Sequence, residues 1–378
     1  MKVISFYLPQ FHPIPENDTW WGKGFTEWTN VAQAKPLFAG HYQPHVPADL
    51  GFCDLRLEET RIAQAALARE YGIGGFCYYH YWFNGKMLLE RPFNEVLASG
   101  KPDFPFCLCW ANENWTRRWD GLEQEVLVGQ RYSDYDPVRH ADWLAKAFRD
   151  ERYIRINGKP LFLVYRADHI PGLDIVIRTW RRQAANNGLP ALYLCAVKNN
   201  QYALSDADTI QAGFDALVEF QPNPGDLRGT ASNLRLMTVL RWLNTIIAAC
   251  RLGGMVEKKS DYVRYDYSKI VERALQRPKP AHKTFPCVFP SWDNTSRRRF
   301  GITVIQNSDP SLFARWLADS LDRVDDYGEE ERIVFVNAWN EWAEGCHLEP
   351  DVRNGRRFLE AVKETVNTFR ARHRDGNV

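Results

Sequence analysis

Eight apolar runs recur along the chain with helical patterns between most of them, and this alternation limits the possible folds more than any other feature. The runs occupy residues 2–8, 74–81, 104–111, 160–165, 191–197, 216–221, 285–290 and 332–338. Most are continuous rather than alternating, as expected of parallel strands covered on both faces. Helical patterns fall at 55–71, 137–149, 173–187, 262–276, 310–325 and 356–372. The first follows Asp54 as N-cap and closes at Gly72; the second follows Asp136, with proline at its first position. Strands alternating with helices make a parallel sheet, and eight such units predict an α/β fold closed as a (β/α)8 TIM barrel. An open doubly wound sheet is the rival, but no G-x-G-x-x-G turn follows any run.

With 378 residues the chain can bury a large core. No linker, repeat or low-complexity stretch divides it, so a single catalytic barrel domain over 1–378 is expected, with long β1–α1 and β6–α6 insertions at about 9–52 and 222–261. Within the second, the apolar segment 234–250 with its scattered arginines reads as packing against the barrel, the commoner fate of an apolar helical stripe. The other reading is peripheral contact with a membrane or partner. Residues 373–378 are expected to fray.

Forty-eight basic residues against forty-seven acidic ones leave a formal charge of +1. No broad basic field is available for nucleic acid. No stretch reaches the roughly 18 apolar residues of a membrane span, and the N-terminal apolar run stops at Pro9 without a signal-peptide pattern. Cys77, Cys107, Cys109, Cys195 and Cys287 lie inside apolar runs, where reduced cysteine packs as a small hydrophobe. A cytoplasmic protein is expected. No metal-ligand spacing completes a zinc pattern and no phosphate-cradling loop is evident, so neither a metal nor a cofactor is predicted.

Barrel chemistry sits on the loops beyond the strand ends. Here those ends carry Tyr7 to His12, His80-Tyr81-Trp82, "CWANENW" at 109–115, Tyr165-Arg166, Glu219, Ser291-Trp292-Asp293 and "NAWNEWAEG" at 337–345. The chain has 14 tryptophans, and six of them (82, 110, 115, 292, 339 and 342) fall at or just past predicted strand ends. Sugars present flat C–H faces and a rim of hydroxyls, which aromatic planes and Asn, Glu, His or Arg side chains match. Cleaving a glycosidic bond needs two carboxyl groups, one protonated and one ionised. Glu113, Glu219 and the Glu341/Glu344 pair compete for these roles. The pair is favoured, because Trp339, Trp342 and Ala343 surround it with apolar mass that would raise a carboxyl pKa.

"EWAEG" at 341–345 resembles the E-W-x-E-G motif of family-99 glycoside hydrolases, the endo-α-mannosidase group. The wider pattern is closer to their relatives, the WbsX-like family labelled as glycosyltransferases of O-antigen clusters. It comprises "FYLPQFHPIPENDTWWGKGFTEWTNV" at 6–31, "KPLFAGHYQPHVPADLG" at 35–51, "WANENW" at 110–115 and "NAWNEWAEGCHLEPD" at 337–351. The resemblance implies that Glu341 acts as a base on the sugar's 2-hydroxyl, giving a 1,2-anhydro intermediate. It implies that Glu344 serves as general acid and then base, with retention of configuration. Glu344 is then expected to titrate above Glu341, since the acid must hold a proton that the base has lost. Expected substrate-binding residues are Tyr7, Trp28, His80, Trp82, Trp110, Asn112, Glu113, Arg166, Trp292, Trp339 and Asn340.

The leading expectation is a retaining glycoside hydrolase or transglycosylase, endo-acting on a bacterial surface polysaccharide or its oligosaccharide intermediate. The first alternative is a glycosyltransferase using an activated sugar donor, although its D-x-D appears only as Asp206-Ala-Asp208, which reads as helix surface. The second is a non-catalytic carbohydrate-binding protein, which would have no use for an acid–base pair.

Overall fold

The computed structural model describes residues 1–117, 122–133, 135–199, 201–233 and 262–375. All eight expected strands are present: β1 Lys2–Tyr7, β2 Gly75–Phe83, β3 Phe106–Trp110, β4 Lys159–Val164, β5 Tyr193–Lys198, β6 Ala216–Glu219, β7 Thr284–Val288 and β8 Ile333–Val336. Each pairs in parallel with its neighbours in chain order, and β8 returns to β1 with Lys2 opposite Ile333, closing the barrel. Among the described residues, the helices that alternate with the strands are α1 Glu58–Glu70, α2 Arg91–Ser99, α3 Asp136–Phe148, α4 Leu173–Asn186, α5 Asp206–Gln211, α6 Tyr267–Leu275, α7 Pro310–Arg323 and α8 Arg357–Asp375.

Strand register decides which side chains face the barrel axis. Phe6 meets Tyr79, Phe220 and Phe335 at ring-centroid distances of 5.2–5.6 Å, so these four point inward. Cys77 pairs with Phe6 on one side and Cys107 on the other, which places the cysteines on the same inner face. The seven described cysteines are free and buried, the five of the apolar runs among them. Because side chains alternate along a strand, Phe76, Tyr78, His80 and Trp82 of β2 face outward.

Several local expectations are corrected. Helix α1 begins at Glu58, because Asp54 accepts from the Arg56 backbone N–H and closes a turn before it. In α3, Asp136 is the first helical residue, its carboxylate accepting from Trp82 Nε1 at 2.8 Å. Residues Tyr262–Asp266 form a strand beside Ile302–Gln306 rather than the first turn of α6. Of the tail expected to fray, residues 373–375 continue α8, with His373 Nε2 2.6 Å from Asp325, and 376–378 lie outside the described residues.

The first insertion carries the short helices Pro15–Trp21 and Glu27–Gln33. The second is described only as far as residue 233, so 234–250 lies outside the described residues. Two further excursions have no counterpart in the expectations: a hairpin of Trp115–Arg117 and Leu122–Val128 after β3, and a three-stranded sheet built around 292–306 after β7. No helix among the described residues is long and apolar enough to cross a membrane.

Candidate active site

A cavity of about 560 Å³ opens at the C-terminal mouth of the barrel. Its floor is set by the inward register, with Tyr79 and Tyr81 from β2, Tyr165 after β4 and Phe220 after β6. Trp21 and Asn17 come from the first insertion, Trp115 from the β3 hairpin, and Trp292, Asn294 and Arg297 from the excursion after β7. Glu113, Glu341 and Glu344 all reach its wall.

The loop after β8 is tied down before it delivers its carboxylates. The Asn340 side chain accepts from Leu8 N at 2.8 Å and donates to Leu8 O at 2.9 Å, splicing the loop to the end of β1. Asn340–Glu341 then pairs antiparallel with Cys346–His347 around a one-turn 3-10 helix, Trp342–Glu344. Gly345 closes that turn at φ +55°, and a Cβ there would lie 3.0–3.1 Å from Asp293. Only glycine meets both demands at once. Behind the loop, Trp342 stacks on His347 at 3.7 Å and donates from Nε1 to Glu349 at 2.6 Å.

Both loop carboxylates converge on one guanidinium. Arg297 Nη2 lies 2.9 Å from Glu341 and Nη1 lies 2.9 Å from Glu344. A third carboxylate, Glu27, lies 3.2 Å from Nη2 and is fully buried. Burial pushes the Glu341 carboxyl up to about 8, against the pull of Arg297 and with a further push from Glu344 and Glu27. Burial likewise raises Glu27, again opposed by Arg297. Glu341 is also the deeper of the two, with 7% of its side chain exposed against 22% for Glu344.

Of the other expected site residues, Glu113 and Trp292 line the cavity. Glu113 pairs with Arg166 at 3.2 Å, and Arg166 in turn holds Asp168 at 2.9 Å. The rest are placed elsewhere. Tyr7 faces out of the barrel and donates to Gln64 at 2.7 Å. Trp28 packs against Phe11 and Trp342 and donates to Cys53 O. His80 and Trp82 lie under α3, where His80 stacks on Trp143 and Trp82 on His140. Burial drives His80 down to about 3, so it is neutral there. Trp110 lies against His140 and Trp180. Asn112 is fully buried and clamps the Arg166 backbone, Trp339 packs on Phe76, and Asn340 is the splice to Leu8. Glu219, the remaining candidate acid, pairs with Arg277.

The sequence does not single out Tyr79 and Tyr81, one residue out of phase with His80 and Trp82, or Arg297, which sits in an arginine run with no motif of its own. Glu27 had a signal. Its Glu27-Trp28 step repeats the Glu341-Trp342 step, and in the fold the two tryptophans meet at 5.4 Å while the two glutamates share Arg297.

The family described as Glycosyltransferase WbsX matches residues 3–362 of the chain. Two curated relatives named "Uncharacterized protein WxcX", from two strains of Xanthomonas campestris pv. campestris, are 40% identical over 365 residues. The alignment covers 96% of this chain and 49% of each relative, so the chain spans about half the length of the curated relatives it matches. Among solved structures, one titled "Glycoside hydrolase-like protein" aligns with TM-score 0.58 and 15% identity, over 97% of this chain and 93% of the other. The GH99 endo-alpha-mannosidase from Bacteroides thetaiotaomicron, in complex with BIS-TRIS-Propane, aligns with TM-score 0.54 and 13% identity over 98% and 97%. At such identities the likeness is one of fold.

Proposed function

The chain belongs to the WbsX glycosyltransferase family, and from that premise we propose that it is a retaining glycoside hydrolase or transglycosylase working at Glu341 and Glu344. Its coarse class is a carbohydrate-active protein on a barrel shared with family-99 hydrolases. The observation that carries the finer reading is the meeting of two carboxylates at one guanidinium on the wall of one aromatic cavity.

In this reading Glu341 takes the proton of the 2-hydroxyl as that oxygen attacks the anomeric carbon. The glycosidic bond breaks, and Glu344 gives its proton to the leaving oxygen. The 1,2-anhydro sugar is opened by water or by an acceptor hydroxyl; Glu344 takes the incoming proton and Glu341 returns its own to O2. A base with a raised pKa is better matched to a hydroxyl proton than an ordinary carboxylate. The proton transfer at O2 thus suits the buried member of the pair. Arg297 opposes a proton on Glu341 and pairs with Glu344 as well, so in this reading substrate entry resets its contacts.

The proposed substrate is an internal linkage of a bacterial surface polysaccharide or its oligosaccharide intermediate. Charge favours a glycoside over a sugar nucleotide: Glu113, Glu341 and Glu344 line the cavity against Arg297 and Arg298. Even with a proton on Glu341, the lining offers a diphosphate no surplus of guanidinium over carboxylate groups. The second reading, transfer from an activated donor, is favoured by the family's description. Its D-x-D lies at the start of α5, where Ser205 caps the helix by accepting from the Asp208 N–H. Incubation with a panel of surface polysaccharides and activated donors, followed by mass spectrometry, decides between them. Oligosaccharide release without a donor supports the hydrolase; strict donor dependence overturns it.

A further inference from the structure

We propose that Glu27 is a positioning residue of the catalytic unit: by holding one edge of the Arg297 guanidinium, it presents the other edge to Glu341 and Glu344 together. This rests on the reading that these two glutamates are the working pair.

The geometry of the fork carries the argument. Arg297 Nε donates to Glu27 at 3.3 Å, and Nη2 lies 3.2 Å from the same carboxylate. Glu27 therefore occupies the Nε/Nη2 edge. The Nη1 and Nη2 atoms remain to reach Glu344 and Glu341, one each, at 2.9 Å. A planar guanidinium has strong directional preferences and grips a lone carboxylate with two parallel bonds. Released from Glu27, it would be free to turn and clamp one catalytic carboxylate bidentately, making the pair unequal in a different way.

Cohesion between the insertion and the barrel is a poor alternative explanation. A buried ion pair contributes little net stability compared with an apolar contact of the same size, because both charges lose their water. Trp28 and Trp342 already supply such an apolar contact beside it, at 5.4 Å. The charge count also points to function. Three carboxylates face a single guanidinium, and a buried cluster of that composition keeps a proton rather than an uncompensated charge. The groups that face Glu27 are Arg297 and Glu344, with Glu341 sharing Nη2 and the Tyr81 hydroxyl nearby. Removing Glu27 removes a like charge and frees Arg297, and both changes lower the titration midpoint of Glu341.

The test is a pH titration of the full chain carrying carboxyl-¹³C-labelled glutamate, read by NMR without substrate, with Glu341→Gln and Glu344→Gln used to assign resonances. In the wild type, one cluster carboxyl stays protonated at pH 7. In Glu27→Gln the Glu341 midpoint falls by about one unit or more, the scale of a nearby charge, and Glu27→Asp restores part of it. A folded Glu27→Gln protein with an unmoved midpoint overturns the proposal. If that variant does not fold, the wild-type spectrum still decides, since three ionised cluster carboxylates at pH 7 overturn it equally. Because no glycan enters the experiment, a moved midpoint beside an inactive enzyme would count against the proposed reaction alone.

Discussion

The end of β2–β3 and the end of β8 carry similar side chains, aromatic rings set among His, Asn and Glu. At the first, His80, Trp82 and Trp110 turn away from the axis and pack with His140, Trp143 and Trp180 beneath α3 and α4. At the second, Trp339 and Trp342 are equally buried, but the turn they anchor presents Glu341 and Glu344 to the cavity. Similar composition thus serves two purposes. Beyond β2 it builds the seam between barrel and helices; beyond β8 it builds a rigid frame for two carboxylates. What separates them is strand phase and the tight turn at Gly345, neither of which composition records.

The sharpest way to break this contrast is to remove the carboxyl groups themselves. Glu344→Gln should lose about 10²–10⁴-fold activity on a natural glycoside, the usual worth of general acid assistance, and recover in part on a substrate with an acidic phenol as leaving group. Glu341→Gln should be poor on both, and Glu113→Gln should lose far less than either. Steady-state assays on the two substrate types check this. Equal losses at Glu113 and Glu344 would move the chemistry to the β3 end. The acid limb of kcat/KM should rise towards pH 8, since Glu341 must be ionised to act as a base.

Next in size is a stability effect at the seam. Trp110→Ala should cost about 3–5 kcal/mol, as large-to-small core changes at aromatic residues do, measured by denaturant unfolding. If Trp110 faced substrate instead, stability would hold while affinity fell.

A smaller effect probes the frame. Glu349 accepts from Trp342 and from Gln64, both at 2.6 Å, and burial pushes it up to about 7 from 4.5. An acid raised in the folded state binds more protons there than in the unfolded chain between those two values. Stability therefore falls as pH rises through that window, by about 3 kcal/mol at most. Glu349→Gln should flatten that part of the pH–stability curve, and an unchanged slope would show that the carboxyl is ionised throughout.

The smallest effect is expected at the cavity wall. Trp292→Ala should raise KM for a saccharide by about tenfold, on the scale of about 1.4 kcal/mol of lost contact, and leave the melting temperature nearly unchanged. A large drop in melting temperature would place Trp292 with the seam tryptophans.

The sequence by itself determined the barrel, since continuous apolar runs spaced by amphipathic helices have few other ways to bury both faces of a sheet. It also determined the neighbourhood of Glu341 and Glu344, because the motif lies within one short turn that local chain geometry confines. The tertiary structure alone decided which aromatic residues face the cavity. A one-residue difference in phase sends Tyr79 and Tyr81 inward and His80 and Trp82 outward, and apolar character at both phases hid that choice. It alone brought Glu27 and Arg297, 270 residues apart in the chain, onto one ion-paired cluster with the loop after β8. Such a cluster is fixed by where three excursions from the barrel meet, and electrostatic contact at that distance along the chain leaves no periodicity to read.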